Sequence, residues 1–169
     1  SRTLHATIVY TATSTVTWSS TTTGKTITNA GVQVKGINTF DGVGGEWTIQ
    51  DDWSSTASYI ITRGNLIING KTVTTTQTFQ ITGTTTRGLD MGTAGSIINC
   101  ASWNATTITS LTFVKGTSTI NITGGTTTYN GGTLTYYDVN FVGNTTVDIN
   151  GANGFNNVVW TSAAVKTAS

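Results

Sequence analysis

An aromatic side chain returns along this chain in nearly the same local setting: Trp18, Phe40, Tyr59, Phe79, Trp103, Tyr129 and Phe155, at intervals of 22, 19, 20, 24, 26 and 26 residues. A small residue precedes each one (Thr17, Thr39, Ser58, Thr78, Ser102, Thr128, Gly154), and a polar residue follows all but Tyr59. A period in the twenties, with turn residues between repeats, is the signature of a solenoid. No single coil can bury its apolar face alone, so stacked coils share one continuous core. The 169 residues then make one domain, residues 1–169, of about seven coils. Thr supplies about a quarter of the chain and Pro is absent. Thr and Val favour extended backbone, while Gly and Asn supply the positive-φ corners of tight turns. No helical stripe competes, so the chain reads as all-β.

A second ladder follows each aromatic, with apolar residues in alternation: Trp47/Ile49, Leu66/Ile68, Leu89/Met91, Leu111/Phe113, Leu134/Tyr136 and Val158/Trp160. Alternation places one face inside and one in water. A third, less regular ladder runs through Val73, Ile97, Ile120 and Val147. Three short strands per coil predict three parallel sheets around a narrow core, a parallel β-helix, right-handed by the chirality of parallel crossovers. Corners fall at Asn69-Gly70, Gly83, Gly124-Gly125, Gly131-Gly132, Asn150-Gly151 and Asn153-Gly154. The amides Gln80, Asn104, Asn130 and Asn156 form a column beside the rings, able to bond to one another from coil to coil. Residues 1–16 read as a cap or partial coil, and residues 161–169 as a tail, linker or cap strand. A bare solenoid end is an open sheet edge that invites a neighbouring domain or subunit.

Charge narrows the functions. Only 9% of residues are charged and the net charge is +1, with the eight Lys and Arg scattered singly. Nucleic-acid binding needs a clustered basic footprint, and no apolar run approaches the ~20 residues of a bilayer span. The segment Leu4 to Tyr10 is too short and polar for a signal-peptide core. Beginning at Ser1 rather than Met, the chain reads as a processed product or a piece of something longer.

The chemistry-bearing residues are few. His5 is the one histidine and lies outside the ladders, and Cys100 is the one cysteine, in a core-like strand. Together they make no zinc set, no disulfide and no plausible triad. The carboxylates are Asp41, Glu46, Asp51, Asp52, Asp90, Asp138 and Asp148. A β-helix enzyme acting on polysaccharide needs two or three acids on adjacent coils of one face, as an acid/base pair or as calcium ligands. Asp138 and Asp148 read as one coil, Asp51 and Asp52 point to opposite faces, and no acid column emerges. No catalytic, cofactor-binding or metal-binding residue is therefore assigned. Thr-x-Thr pairs such as Thr72/Thr74 and Thr117/Thr119 fail to repeat on one face, as an ice-binding array would require. The sequons at Asn104, Asn121 and Asn144 are no more than this Asn- and Thr-rich composition gives by chance.

The run Gly42-Val43-Gly44-Gly45-Glu46-Trp47-Thr48-Ile49-Gln50-Asp51-Asp52 resembles a motif of β-helical repeats in phage tail-fibre and bacterial surface adhesin-like proteins. Coils of the form Thr86-Arg87-Gly88-Leu89-Asp90-Met91-Gly92 and Ser102-Trp103-Asn104 extend the resemblance over residues 40 to 160, with Ile49 in place of the usual Leu. It implies a repetitive extracellular or virion fibre, with no catalytic residues to carry over. The expectation is a non-catalytic structural or adhesive module on a cell surface or virion, without cofactors. Its partners would be copies or neighbouring subunits docked through the solenoid ends, and a surface glycan receptor. The alternatives are a self-assembling filament or surface-array subunit and a polysaccharide-degrading enzyme.

Overall fold

The computed structural model describes residues 2–3, 13–143, 146–161 and 165–168. The described residues form strands and no helix, and every strand pairing is parallel. A short strand β1 (Arg2–Thr3) lies on the second strand of the first coil. That coil holds β2 (Val16–Trp18) and β3 (Lys25–Thr28); the next holds β4 (Asn38–Ile49) and β5 (Trp53–Ser55). The third coil is β6 (Tyr59–Ile67) and β7 (Thr72–Thr75), and the fourth β8 (Thr78–Ile81), β9 (Arg87–Asp90) and β10 (Ile97–Cys100). The fifth is β11 (Ser102–Asn104), β12 (Leu111–Val114) and β13 (Thr119–Ile122), and the sixth β14 (Thr126–Asn130) and β15 (Thr135–Phe141). The seventh is β16 (Thr146–Asn150) and β17 (Gly154–Trp160), after which β18 (Val165–Ala168) pairs onto β16. Seven coils at ~4.8 Å make a β-solenoid roughly 34 Å long.

The three expected faces are present, but hydrogen bonding joins two of them. The first and second faces form one 12-stranded sheet because β4 and β6 run unbroken around the corner between them. The third is a separate six-stranded sheet, β17-β15-β13-β10-β7-β5. The bend in β4 is made by register shifts after Phe40 and Asp41, with Gly44 and Gly64 in left-handed backbone (φ 72° and 80°). At Gly64 only hydrogen fits: a Cβ would lie 2.6 Å from the Gly42 carbonyl oxygen and 2.7 Å from that of Gly45.

The ring column is real and has two breaks. Tyr59, Phe79, Trp103 and Tyr129 face one another in successive coils, with Phe79–Trp103 centroids 5.3 Å apart and the rings stacked nearly parallel. Phe40 opposes Ile61, however, and Tyr59 opposes Asn38. The 19-residue step from Phe40 to Tyr59 is two residues short of the true register, so the rings change column there. Trp53 on the third face bridges the gap edge-on to Phe40 and Tyr59. At the other end Ile149, not Phe155, continues above Tyr129. Phe155 instead opposes Tyr136.

The other ladders need similar corrections. Leu89 opposes Phe113, and Leu111 opposes Arg87, because the coil carries two more residues than the Leu-to-Leu spacing suggests. Val158 and Trp160 oppose Val139 and Phe141 on the third face, since β15 crosses from the second face to the third in one strand. The third ladder runs Trp53, Val73, Ile98, Ile120, Val139 and Val158. Ile97 therefore points outward, and Val147 belongs to the first face opposite Thr127. In the amide column Asn150, rather than Asn156, follows Asn130 and donates to its Oδ1 at 3.0 Å. The core is continuous through all seven coils.

Candidate functional site

Most carboxylates are engaged in holding the coils. Asp41 accepts a forked pair from Arg63, Nε at 2.5 Å and Nη2 at 3.1 Å, and a hydroxyl from Thr62. Those hydrogen bonds, with the guanidinium charge, hold its carboxyl below the usual range despite the opposing effect of burial. Asp51 takes the backbone N–H groups of Asn29 and Ala30 at a corner where Ala30 is left-handed (φ 50°). Asp52 accepts from the Thr72 N–H at 2.8 Å, and Asp138 from Asn156 Nδ2 at 3.3 Å. Asp138 and Asp148 lie in different coils, opposite Thr119 and Thr128, because β15 spans two faces. The Cys100 thiol is fully buried, and burial pushes its pKa up to about 12, which leaves no thiolate for chemistry. His5 and Asn144 lie outside the described residues.

The other sequons have structural uses. Asn121 donates to Asn99 Oδ1 at 2.7 Å and accepts from Asn140 Nδ2 at 2.8 Å, inside an amide ladder on the third face. Asn104 Oδ1 accepts from the backbone and hydroxyl of Thr106. The outward pairs of the third face are Thr72/Thr74, Ile97/Asn99, Thr119/Asn121 and Asp138/Asn140, so the threonine array breaks after one coil.

The place where chemistry-bearing groups converge is the outer surface of the second face, in a groove of about 310 Å³ crossing coils two to five. Two outward rows build it. One runs Glu46, Asn65, Gly88 and Thr112; of the other, Thr48, Ile67, Asp90 and Val114, only Asp90 and Val114 line the groove. Asn65 makes the floor: its side chain lies over buried Gly88, where a Cβ would collide with Asn65 Oδ1. Gly44, Gly45 and Gly64 extend the bare backbone towards the β4 bend. Asn65 Nδ2 donates to Glu46 Oε2 at 3.4 Å, a loose contact, and Asp90 Oδ1 accepts from the Gly92 N–H at 2.7 Å. Val114 is 41% exposed at the rim.

Beneath the floor lies Arg87, 1% exposed. Its guanidinium donates to the carbonyls of Thr85 (3.0 Å), Thr109 (2.8 Å) and Thr107, tying together the loops of two coils. Desolvation lowers its pKa from the usual guanidinium value. The spacing of Arg87 from the leucines hides this pairing in the sequence, since Arg87 occupies a core position opposite Leu111. The groove itself was equally hidden: its acids sit in different rows, and only the register across β4, β6, β9 and β12 brings them to one surface.

Among the described residues no three His, Cys, Asp or Glu side chains are grouped to hold a metal, and no helix is long and apolar enough to cross a membrane. No family model, curated protein or solved structure matches this chain.

Proposed function

We propose that the chain is a non-catalytic structural and adhesive module: a short, stiff β-solenoid rod that works outside the cell, on a cell surface or a virion fibre. The observation that carries this reading is how the carboxylates are employed. Asp41, Asp51, Asp52 and Asp138 each bind a donor on a neighbouring coil, leaving none of them poised for proton transfer. Glu46 and Asp90 share the groove but stand two coils and two residues apart, roughly 12 Å between backbones at standard strand spacings. Each already accepts a hydrogen bond, Glu46 from Asn65 Nδ2 and Asp90 from the Gly92 N–H. The fold-wide use of parallel pairing and the low charge suit a rod that resists proteolysis, and the resemblance to fibre and adhesin repeats points the same way.

A second reading, a self-assembling filament, draws on Phe155, Val158 and Trp160, core residues of the last coil that are only half-buried. Electron microscopy of the purified chain separates the two: short single particles support the module, and spontaneous long polymers support the filament. Incubation with a panel of polysaccharides should leave chain lengths unchanged. Depolymerisation that disappears in an E46Q/D90N double variant would overturn the non-catalytic reading.

A further inference from the structure

We infer that the second-face groove is a binding site for an oligosaccharide lacking acidic groups, lying along the solenoid axis. This rests on the adhesive reading above and specifies its ligand. The groove is the one place on the described surface where a carboxylate, an amide and a hydroxyl (Glu46, Asn65, Thr112) share one outward row, with a second carboxylate, Asp90, on the row beside it. Rungs recur every ~4.8 Å, close to the repeat of an extended pyranose chain, so each sugar residue meets one rung. Glu46 and Asp90 accept from ring hydroxyls, Asn65 both donates and accepts, and Thr112 closes the far end. The apolar C–H face of the sugar lies against exposed Val114, over a floor formed by the Asn65 amide laid across Gly88.

Charge sets the class. The single cation lining the groove is Arg87, and its two terminal nitrogens are turned away into three backbone carbonyls. Glu46 and Asp90 therefore present a net negative surface to a ligand. A uronate, sulfate or sialic acid would bring like charges together in a partly desolvated cleft, which disfavours binding. Neutral hexose chains fit, and amino sugars fit better.

The test is direct. Oligomers of equal length made of neutral hexose, amino sugar and hexuronic acid are titrated against the whole chain by calorimetry. Neutral or amino-sugar oligomers should bind at least about tenfold more tightly than the uronate, the discrimination expected of like-charge rejection. E46Q/D90N should erase most of that preference while leaving the melting temperature unchanged. G88T, whose side chain would displace the Asn65 amide from the floor, should abolish binding; if it unfolds, the carboxamide variant still decides. Binding that survives E46Q/D90N unaltered in strength and preference places the ligand elsewhere and overturns the site, while leaving the adhesive reading intact. Tightest binding to uronate, to a basic peptide, or to none of the probes overturns the inference; the rod reading stands or falls separately on microscopy.

Discussion

Trp103 sits between Phe79 and Tyr129 with its ring stacked on both and its indole Nε1–H donated to the Tyr136 hydroxyl at 3.0 Å. Tyr136 in turn donates to the Gly131 carbonyl at 2.7 Å, so a buried polar chain runs through an otherwise apolar core. Replacing Trp103 by Ala removes two ring contacts and the donor, and should cost about 3–5 kcal/mol in a urea titration, the usual loss for a buried large aromatic. W103F keeps the stack and should recover most of it. Arg87 is the more unusual case, a buried cation whose terminal nitrogens are held by carbonyls alone while its Nε has no partner. R87A removes charge-assisted bonds to the carbonyls of Thr85, Thr107 and Thr109, each contributing about 1.5–3 kcal/mol less what water restores at these outer loops. The expected loss is about 3 kcal/mol or more. R87K, with a point charge in place of a planar fork, should fall between R87A and the native chain, and an R87K equal in stability to native would refute the fork's role.

At the scale of elements, stability is distributed along columns that run across strands. On the third face Asn99 donates to Thr74 Oγ1, Asn121 to Asn99 and Asn140 to Asn121, linking β7, β10, β13 and β15. N121A breaks two of these bonds at once. At half-buried positions each contributes about 0.5–1.5 kcal/mol, so the unfolding free energy should drop by about 1–3 kcal/mol, whereas N99A, at the next rung, should be non-additive with it in a double-mutant cycle. The idea of such a ladder was legible in the sequence, but its location was not. Equal spacing of amides suggested Gln80, Asn104, Asn130 and Asn156, yet Asn104 turns to Thr106 and Asn156 lies on another strand. The cause is general to this fold. Inward positions repeat with the coil, so Tyr59, Phe79, Trp103 and Tyr129 announce themselves. Coil length, by contrast, is set by corners that vary by several residues, and a one-residue error there exchanges inside for outside. Ile97 was read as core and Ile98 takes its place for that reason. The groove suffered the same blindness, because Glu46 and Asp90 become neighbours only once β4, β6 and β9 are in register.

For the molecule as a whole, the scarcity of charge shifts its pH sensitivity from acid to base. On the acid side Asp41 is the carboxylate held clearly below its usual 3.8. Its contribution is complete above that value and is lost as pH falls through the lower folded value, so acid should erode stability only late. On the basic side several protons are locked in the core. Burial pushes the Tyr136 hydroxyl from 10.0 up to about 12, drives Tyr59 and Tyr129 well above 10.0, and lifts the Cys100 thiol from 9.0 to about 12. The unfolded chain releases each of these protons at its ordinary value while the folded chain retains it, so unfolding becomes easier as pH rises. Stability from these groups is fully present below pH 9; that from Cys100 and Tyr136 is lost through folded values of about 12, at about 1.4 kcal/mol per pH unit for each group in its window. The melting temperature should therefore stay flat from neutral pH to about 9 and then fall with growing steepness. In a Y10F/Y137F background, which leaves Tyr59, Tyr129 and Tyr136, tyrosinate absorbance should rise together with unfolding rather than before it. C100A should delay the onset, and Y136F should flatten the slope above pH 10, its ordinary phenol value. Titration of Tyr59, Tyr129 or Tyr136 at that ordinary value while the solenoid remains folded would show that the ring column is open to water, and the shared core on which all seven coils depend would have to be redrawn.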